Sequence, residues 1–363
     1  MEILKTLETR SESEQERIKR EVSADIEAAM EVHGDEPFHN EKHPRNVGAD
    51  ALRIVEIFEK YTDEVTPDTR LAAKTGADIH DLIVDYAIQE DPGAFNYGQR
   101  IRFRGFGELM PDNVKKLLSV KGETKGNEEK SWEKGREIIK NHDPEGKIYN
   151  TEVMEAVKEI VAATYPDAKI DQLPEEYLTP DVTPYLSKNT EGNTVALHFS
   201  QPYLKKESKI STLAVAYGDI MYGGKVNSEK FKEHSNEEFR ELYELLRKDV
   251  LSEINKLTSE RKAEIAKAAL GWISTQIGFL LWQKIEFKNR LENFEAIEKS
   301  RDPESLKKDL NNEYSMFDSN IIDSAKRIEN ARAQWSDLVK KETFETDPEA
   351  NIRFRELLGE MGF

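Results

Sequence analysis

The sequence predicts an all-α protein: a helical bundle with a long irregular insertion and a long C-terminal antiparallel helical extension. Three observations predict it. Apolar residues recur at three- and four-residue spacing through most of the chain, which is the period of a helix face turned toward a core. Few segments alternate as a strand does, and residues 194–199 are the best strand candidate. Five prolines fall within residues 165–206, so this interval is expected to be irregular.

Five helices are predicted before the insertion. The apolar pattern places them at 12–32, 46–60, from Thr66 to Ile83, at 130–141 and at 151–164. Pro67 suits the first turn of the third helix because a helix leaves that N–H without an intrahelical partner. The stretch from Asp91 to Glu129 is rich in Gly, Arg and Asn, and we expect a loop with short helices there.

Longer helices are predicted after the insertion. They cover 207–222, 235–257, 259–299 and 304–341, and a short terminal helix starts at Pro348. Residues 1–258 are expected to form a metal-binding helical domain, and residues 259–363 an extension that packs on this core or projects from it. Heptads are not sustained, which favours a packed antiparallel helix pair over a free coiled coil. The same C-terminal helices offer a surface for homo-oligomer formation.

Composition limits the classes of partner. The 363 residues include 71 acidic and 53 basic side chains, so the formal net charge is −18. Long nucleic acids and anionic membranes are disfavoured, because both need a basic face. The N-terminus has no apolar signal-peptide core and no run long enough to span a membrane is evident, so we expect a cytoplasmic protein. With no cysteine, any metal must be bound by His, Asp and Glu.

Three predicted helical segments carry side chains suited to a hard metal ion. The first contains His39 and His43, the second the doublet His80-Asp81, and the third Asp219 in the segment Ala216-Tyr217-Gly218-Asp219-Ile220. Polar groups that follow an apolar helix face need partners once they are buried. A shared divalent cation would satisfy all of these groups together.

These motifs resemble the HD superfamily of metal-dependent phosphohydrolases, which is named for its adjacent His-Asp pair. The resemblance implies an HD-type helical bundle in which one metal is bound by His43, His80, Asp81 and Asp219. Further segments resemble little-characterised bacterial HD domain-containing proteins and together cover most of residues 35–295. They are Gly126-Asn127-Glu128 with Ser131, Ala163-Thr164-Tyr165-Pro166, Gln201-Pro202-Tyr203-Leu204, and Trp272 with Gln276. No substrate follows from this resemblance.

The expected chemistry is hydrolysis of a phosphate ester of a small metabolite or nucleotide. A divalent ion (Mn, Fe, Ni, Co, Mg or Zn, one or two per chain) would lower the pKa of a bound water and neutralise charge on a phosphoryl oxygen. By resemblance to related helical phosphodiesterases, His39 is the candidate general acid; the alternative is a loop histidine hydrogen-bonded near the helix start. Asp85 lies four residues after Asp81, so it is a candidate base, water-orienting group or second-metal ligand, or else a solvent-facing charge.

Substrate binding needs local positive charge. Arg100, Arg102 and Arg104 recur at spacing two in a Gly-rich loop and are candidates for clamping an anionic substrate, the alternative being a solvated basic loop. By resemblance, Glu128 is a candidate carboxylate for substrate binding or ligand support. His142, His198 and His234 are expected to be surface or structural residues, and His198 is the one to examine for a second metal.

Two other functions remain open at the level of sequence. One is a di-iron HD-type oxygenase, which requires additional ligands such as Asp85 or His198. The other is a non-catalytic scaffold or sensor in which the metal stabilises the bundle and the acidic C-terminal helices bind a partner. Metal stoichiometry and turnover separate these alternatives from phosphate-ester hydrolysis.

Overall fold

A computed structural model describes residues 2–31, 38, 40–83, 126–165, 167–242 and 256–362. The predicted site residues His39, Asp85, Arg100, Arg102 and Arg104 lie outside the described residues. Helices make up most of the described chain, so the all-α prediction is confirmed at the level of class.

Six helices surround the predicted ligands. They are α1 (Glu2–Met30), α2 (Lys42–Glu59), α3 (Pro67–Ile79), α4 (Gly126–His142), α5 (Thr151–Ala163) and α6 (Ile210–Ile220). Helix α2 packs against both α3 and α6, and α3 also packs against α5. The start of α3 follows from its sequence, since Thr66 and Thr69 form a reciprocal capping box with Pro67 in the first turn.

Glycine permits the closest of these helix contacts. A Cβ placed on Gly218 of α6 would lie 2.8 Å from the backbone oxygen of Val47 in α2, closer than carbon and oxygen atoms pack. Any larger residue at this position would push the two helices apart. The glycine therefore brings the end of α6 against the first half of α2, and these are the two segments that carry Asp219 and His43.

The insertion contains a small sheet that the proline count did not predict. Strands β1 (Asp167–Gln172), β2 (Ser187–Lys188) and β3 (Thr194–Ser200) form an antiparallel sheet in the order β1-β3-β2. In its register, Lys169 lies opposite His198. The expected strand at 194–199 is confirmed, whereas the expectation that the rest of the insertion is irregular is wrong, because β1 and β2 pair with it. Pro174, Pro180, Pro184 and Pro202 fall between or beside the strands, where no ladder hydrogen bond is lost.

The remaining helices follow the sheet and the ligand-bearing bundle. They are α7 (Tyr222–Lys225), α8 (Ser228–Leu242), α9 (Ser259–Asn293), α10 (Glu295–Glu298), α11 (Pro303–Glu313), α12 (Phe317–Trp335), α13 (Lys341–Thr346) and α14 (Pro348–Glu360). The helix predicted at 235–257 begins earlier, at Ser228, and the one predicted at 304–341 is divided into α11 and α12. The division falls at Tyr314, whose ring is buried among other aromatic rings, so tertiary packing overrides the local pattern.

Helix α9 is the structural centre of the C-terminal half. It packs against β3 on one side and α12 on another, and Ile265, Ile277 and Leu280 are fully enclosed. By length and composition alone this helix would be long enough and apolar enough to cross a membrane, but 65% of its most apolar window is buried inside the protein. Its apolar character is accounted for by this enclosure, as in the core helix of a globular fold.

Candidate metal centre

Three helix ends bring the candidate ligands together. His43 lies in the first turn of α2, Asp219 lies in the last turn of α6, and His80 and Asp81 follow the end of α3. The doublet is therefore in a turn rather than inside the helix predicted to reach Ile83. His80 ends α3 by donating its backbone N–H to the carbonyl of Gly76 at 3.1 Å.

The four side chains converge on one point. Ligand atoms of His43, His80 and Asp219 all lie within 4.8 Å of one another, so this cluster could hold a metal ion. Nε2 of His80 lies 3.0 Å from Oδ2 of Asp81 and 3.5 Å from Oδ1 of Asp219. Nε2 of His43 lies 3.3 Å from Oδ2 of Asp81 and 3.5 Å from Oδ1 of Asp219. Two imidazoles thus face two carboxylates from three separate helices.

The tautomer of His80 is determined by its other ring nitrogen. Nδ1 lies 2.7 Å from the carbonyl oxygen of Ala77, and since a carbonyl can only accept, Nδ1 carries the proton. In the neutral ring Nε2 is then a buried lone pair, and the carboxylate oxygens of Asp81 and Asp219 that lie near it can donate no hydrogen bond to it. A lone pair aimed at carboxylate oxygens is repelled unless a cation lies between them. Metal-binding histidines usually donate their other ring N–H to a carbonyl or carboxylate, as Nδ1 of His80 does to the carbonyl of Ala77.

Without a metal ion, protons bound to the two imidazoles supply the positive charge between the carboxylates. Burial on its own lowers the pKa of His43, but the Asp219 and Asp81 carboxylates outweigh it and raise the value to about 9. The pKa of His80 is raised for the same reason, with burial again opposing. Burial raises the pKa of Asp219, and its hydrogen bonds to His43 and His80 more than reverse this, so the net shift is downward. The centre therefore favours positive charge between its carboxylates.

The centre is partly open to solvent. The side chain of His80 is 1% exposed, whereas those of His43, Asp219 and Asp81 are 12%, 15% and 22% exposed. One wall near the opening is aromatic: the Phe38 ring lies 4.7 Å from that of His43 and 6.4 Å from that of His234. An ion bound here would retain a face for water or another ligand.

Residues around the centre fix the positions of its ligands. The hydroxyl of Ser131 in α4, which is fully buried, accepts a hydrogen bond from the backbone N–H of Ile83 at 2.9 Å and so anchors the turn that carries the doublet. Gln201, which directly follows β3, donates from Nε2 to Oδ2 of Asp219 at 3.5 Å. Its Oε1 accepts from Nη1 of Arg290 in α9 at 3.0 Å.

The other candidate residues within the described ranges lie outside this four-residue cluster. Glu128 is half-buried in the first turn of α4, one turn before Ser131. His198 is in β3, where Nε2 bonds to Glu286 at 3.0 Å and the ring stacks on Trp282, so it is not a member of the metal cluster. His142 pairs with Asp25, and His234 pairs with Tyr222 and Glu237. These two match the expectation of structural or surface roles.

Sequence reasoning did not identify Arg290 as part of the site. The local sequence gives no signal for it, because residues 286–293 are mostly charged or polar and such side chains usually reach solvent. Here the side chain is 10% exposed and lies against the ring of Tyr217, 5.7 Å from its centroid.

Comparison with known proteins gives no relative for this chain. No family model, no curated protein and no solved structure matches it.

Proposed function

We propose that this protein is a metal-dependent phosphohydrolase that hydrolyses a phosphate ester of a small metabolite or nucleotide at the centre formed by His43, His80, Asp81 and Asp219. The observation that carries the proposal is the cluster itself, in which two imidazoles and a carboxylate lie within 4.8 Å and Asp81 contacts both imidazoles. Nitrogen and oxygen donors of this kind suit a first-row divalent metal ion.

The origin of the ligands supports an HD-type assignment. In chain order they are a histidine, an adjacent His-Asp pair and a distant aspartate, each on a different helix end. This order and this placement agree with the resemblance to the HD superfamily described from the sequence. The packing of α2 against α3 and α6 supplies the helical bundle that such a centre requires.

The partial exposure of the centre favours catalysis over a purely structural metal. Four protein ligands close a tetrahedral zinc site, but an ion that prefers octahedral coordination would keep two positions for water or substrate. Here three of the four side chains retain contact with solvent. A bound divalent ion would supply Lewis-acid chemistry, lowering the pKa of water and neutralising phosphoryl charge.

The protein side chains have separate tasks in this proposal. His80 presents its Nε2 lone pair because Ala77 holds the proton on Nδ1. Asp81 and Asp219 offset the charge of the ion. A single point of positive charge accommodates one phosphate in a chain whose net charge is −18, and the overall negative charge disfavours long polyanions.

The test combines metal content with turnover. Purified protein would be supplied with Mn, Fe, Ni, Co, Mg or Zn, its metal stoichiometry measured, and phosphate release followed over a panel of phosphomonoesters, phosphodiesters and nucleotides. We expect about one metal per chain and a loss of activity of about 100-fold or more in Asp81→Ala. The matched control is Asp318→Ala, an exposed aspartate that pairs with Lys284, which should behave as wild type.

Other outcomes select the alternatives. A chain that takes up no metal would refute the proposal. Metal binding without phosphate release from any substrate would support the scaffold or sensor function instead. Two irons per chain would favour the oxygenase, with the additional ligand supplied from outside the four-residue cluster.

A further inference from the structure

A buried chain of polar contacts leads from Asp219 to the long helix α9. Oδ2 of Asp219 accepts from Gln201 Nε2, and Gln201 Oε1 accepts from Arg290 Nη1. Nη2 of Arg290 lies 3.8 Å from Oε2 of Glu286, which is one turn earlier on the same helix. Glu286 in turn bonds to His198 of β3. The Asp219 oxygen that Gln201 contacts is not the one that faces the two imidazoles.

The polarity of this chain allows only one arrangement of Gln201. A carboxylate accepts and a guanidinium donates, so the amide nitrogen must face Asp219 and the amide oxygen must face Arg290. Gln201 is 4% exposed, and a buried amide of this type is costly unless both ends are satisfied. Asp219 and Arg290 therefore fix the Gln201 side chain. Gln201 in turn fixes the orientation of the Asp219 carboxylate about its side-chain torsion.

Arg290 is buried against Tyr217 and has lost most of its water. Burial lowers the pKa of its guanidinium, which shows that its charge is disfavoured unless it is paired. Its planar fork reaches the Gln201 amide with one nitrogen and the Glu286 carboxylate with the other, which a lysine ammonium cannot do with the same geometry.

We infer that Gln201 and Arg290 are positioning residues that orient the Asp219 carboxylate for metal binding, so that the insertion and helix α9 are functional parts of the metal centre. The inference rests on the proposed function only in requiring Asp219 to be a metal ligand. Residues that support a ligand in this way typically change metal affinity by about 10- to 100-fold. The 3.5 Å contact is long for a hydrogen bond, so we expect the lower end of this range.

The experiment measures Co²⁺ binding by titration and by visible absorption, which reports the ligand geometry independently of activity. In Gln201→Met, which removes both hydrogen bonds at similar volume, the dissociation constant should rise about tenfold and the absorption spectrum should change. Arg290→Lys keeps the positive charge but loses the planar guanidinium. It should also raise the Co²⁺ dissociation constant and change the absorption spectrum. Circular dichroism verifies that each variant is folded.

The matched control is Gln283→Met. Gln283 is fully buried on α9 and donates to the carbonyl of Phe199 in β3, but no contact connects it to Asp219 among the described residues. Its Co²⁺ affinity and spectrum should stay within about twofold of wild type.

The outcomes separate this inference from the proposed function. Wild-type Co²⁺ affinity and spectrum in both Gln201→Met and Arg290→Lys would overturn the positioning role and leave the metal centre intact. If Gln201→Met does not fold, Arg290→Lys alone decides the question in the same way. A wild-type chain that binds no Co²⁺ would overturn the proposed function together with the inference.

Discussion

Two buried histidines of this protein have similar partners but different surroundings. His80 and His198 are 2% and 5% exposed, and each has Nε2 at 3.0 Å from a carboxylate oxygen. His80 belongs to a centre in which a second imidazole and a second carboxylate arrive from other helices. His198 instead stacks on Trp282, with ring centroids 4.0 Å apart, and its Nδ1 lies 3.7 Å from Asp171.

The difference shows what distinguishes a metal centre from a structural ion pair. His198 bonds to one carboxylate through Nε2, and although its Nδ1 is also buried without a hydrogen-bond partner among the described residues, its ring belongs to no cluster with a second imidazole there. Two imidazoles that face two carboxylates leave several lone pairs directed at one point, and a divalent cation balances them better than protons do. Convergence of separate elements, rather than burial or pairing, therefore marks the centre at His80.

The largest test of this comparison exchanges each histidine for glutamine. His80→Gln removes a ligand and should weaken metal binding well beyond the roughly 10- to 100-fold typical of residues that only support a ligand. His198→Gln keeps a donor for Glu286 and should change the metal dissociation constant by less than about fivefold, which is below that supporting range. Equilibrium dialysis with metal analysis measures both. Equal losses in the two variants would contradict the distinction.

The pH dependence of metal binding should follow the protons that a metal displaces. The pKa of His43 is raised from 6.5 to about 9 in the metal-free centre, so at lower pH a proton occupies the site. Metal affinity should therefore rise by about tenfold per pH unit for each displaced proton, and the part of this rise due to His43 should level off above about pH 9. Titration calorimetry in buffers with different ionisation enthalpies measures the released protons.

The stability of the metal-free protein should change in the opposite direction. A raised pKa in the folded state means that protonation of His43 contributes stability that is fully present below pH 6.5 and is lost as pH rises to about 9. Melting temperatures measured in chelator should therefore decline between pH 6.5 and about pH 9, because His43 loses its proton over this range. His43→Gln serves as the control, and a wild-type curve that matches it would argue against the assignment.

Much of the centre could be predicted from sequence, because its ligands are rare residue types placed at the ends of apolar helical patterns. The choice of His43, His80 and Asp219 as one cluster agrees with the structure. The doublet's place in a turn was not predicted, since it depends on Ser131 from a different helix. Arg290 was also missed, because its contact with Gln201 joins distant parts of the chain and no local pattern encodes it.

A fourth prediction concerns the helix contact that brings the ligands together. In Gly218→Ala the new Cβ would meet the Val47 backbone oxygen at 2.8 Å, so α2 and α6 must separate. We expect a loss of about 1–3 kcal/mol in the free energy of unfolding and a weaker metal centre, because His43 and Asp219 lie on these helices. The pair of His198 and Glu286 should be unaffected, because these residues lie on β3 and α9 and Gly218 lies on α6.

Gly359→Ala is the matched control for this change. Gly359 is near the end of α14 and a Cβ there would meet nothing within 4 Å. The substitution should raise the free energy of unfolding by about 0.4–1 kcal/mol, because alanine restricts the unfolded chain. Chemical denaturation of both variants checks the pair, and a neutral Gly218→Ala would show that α2 and α6 can separate without cost.

The smallest expected effect is at the turn that carries the doublet. Ser131→Ala removes the hydroxyl that accepts from the Ile83 N–H, and the loss of this buried hydrogen bond should cost about 1 kcal/mol in unfolding free energy. Ser336→Ala, on an exposed side chain whose hydroxyl bonds only its own helix, is the control and should be nearly neutral. If the turn positions Asp81 against the imidazoles, Ser131→Ala should also weaken metal binding measurably while Ser336→Ala does not. If Ser131→Ala lowers the free energy of unfolding but leaves metal affinity unchanged, the role of Ser131 is structural only.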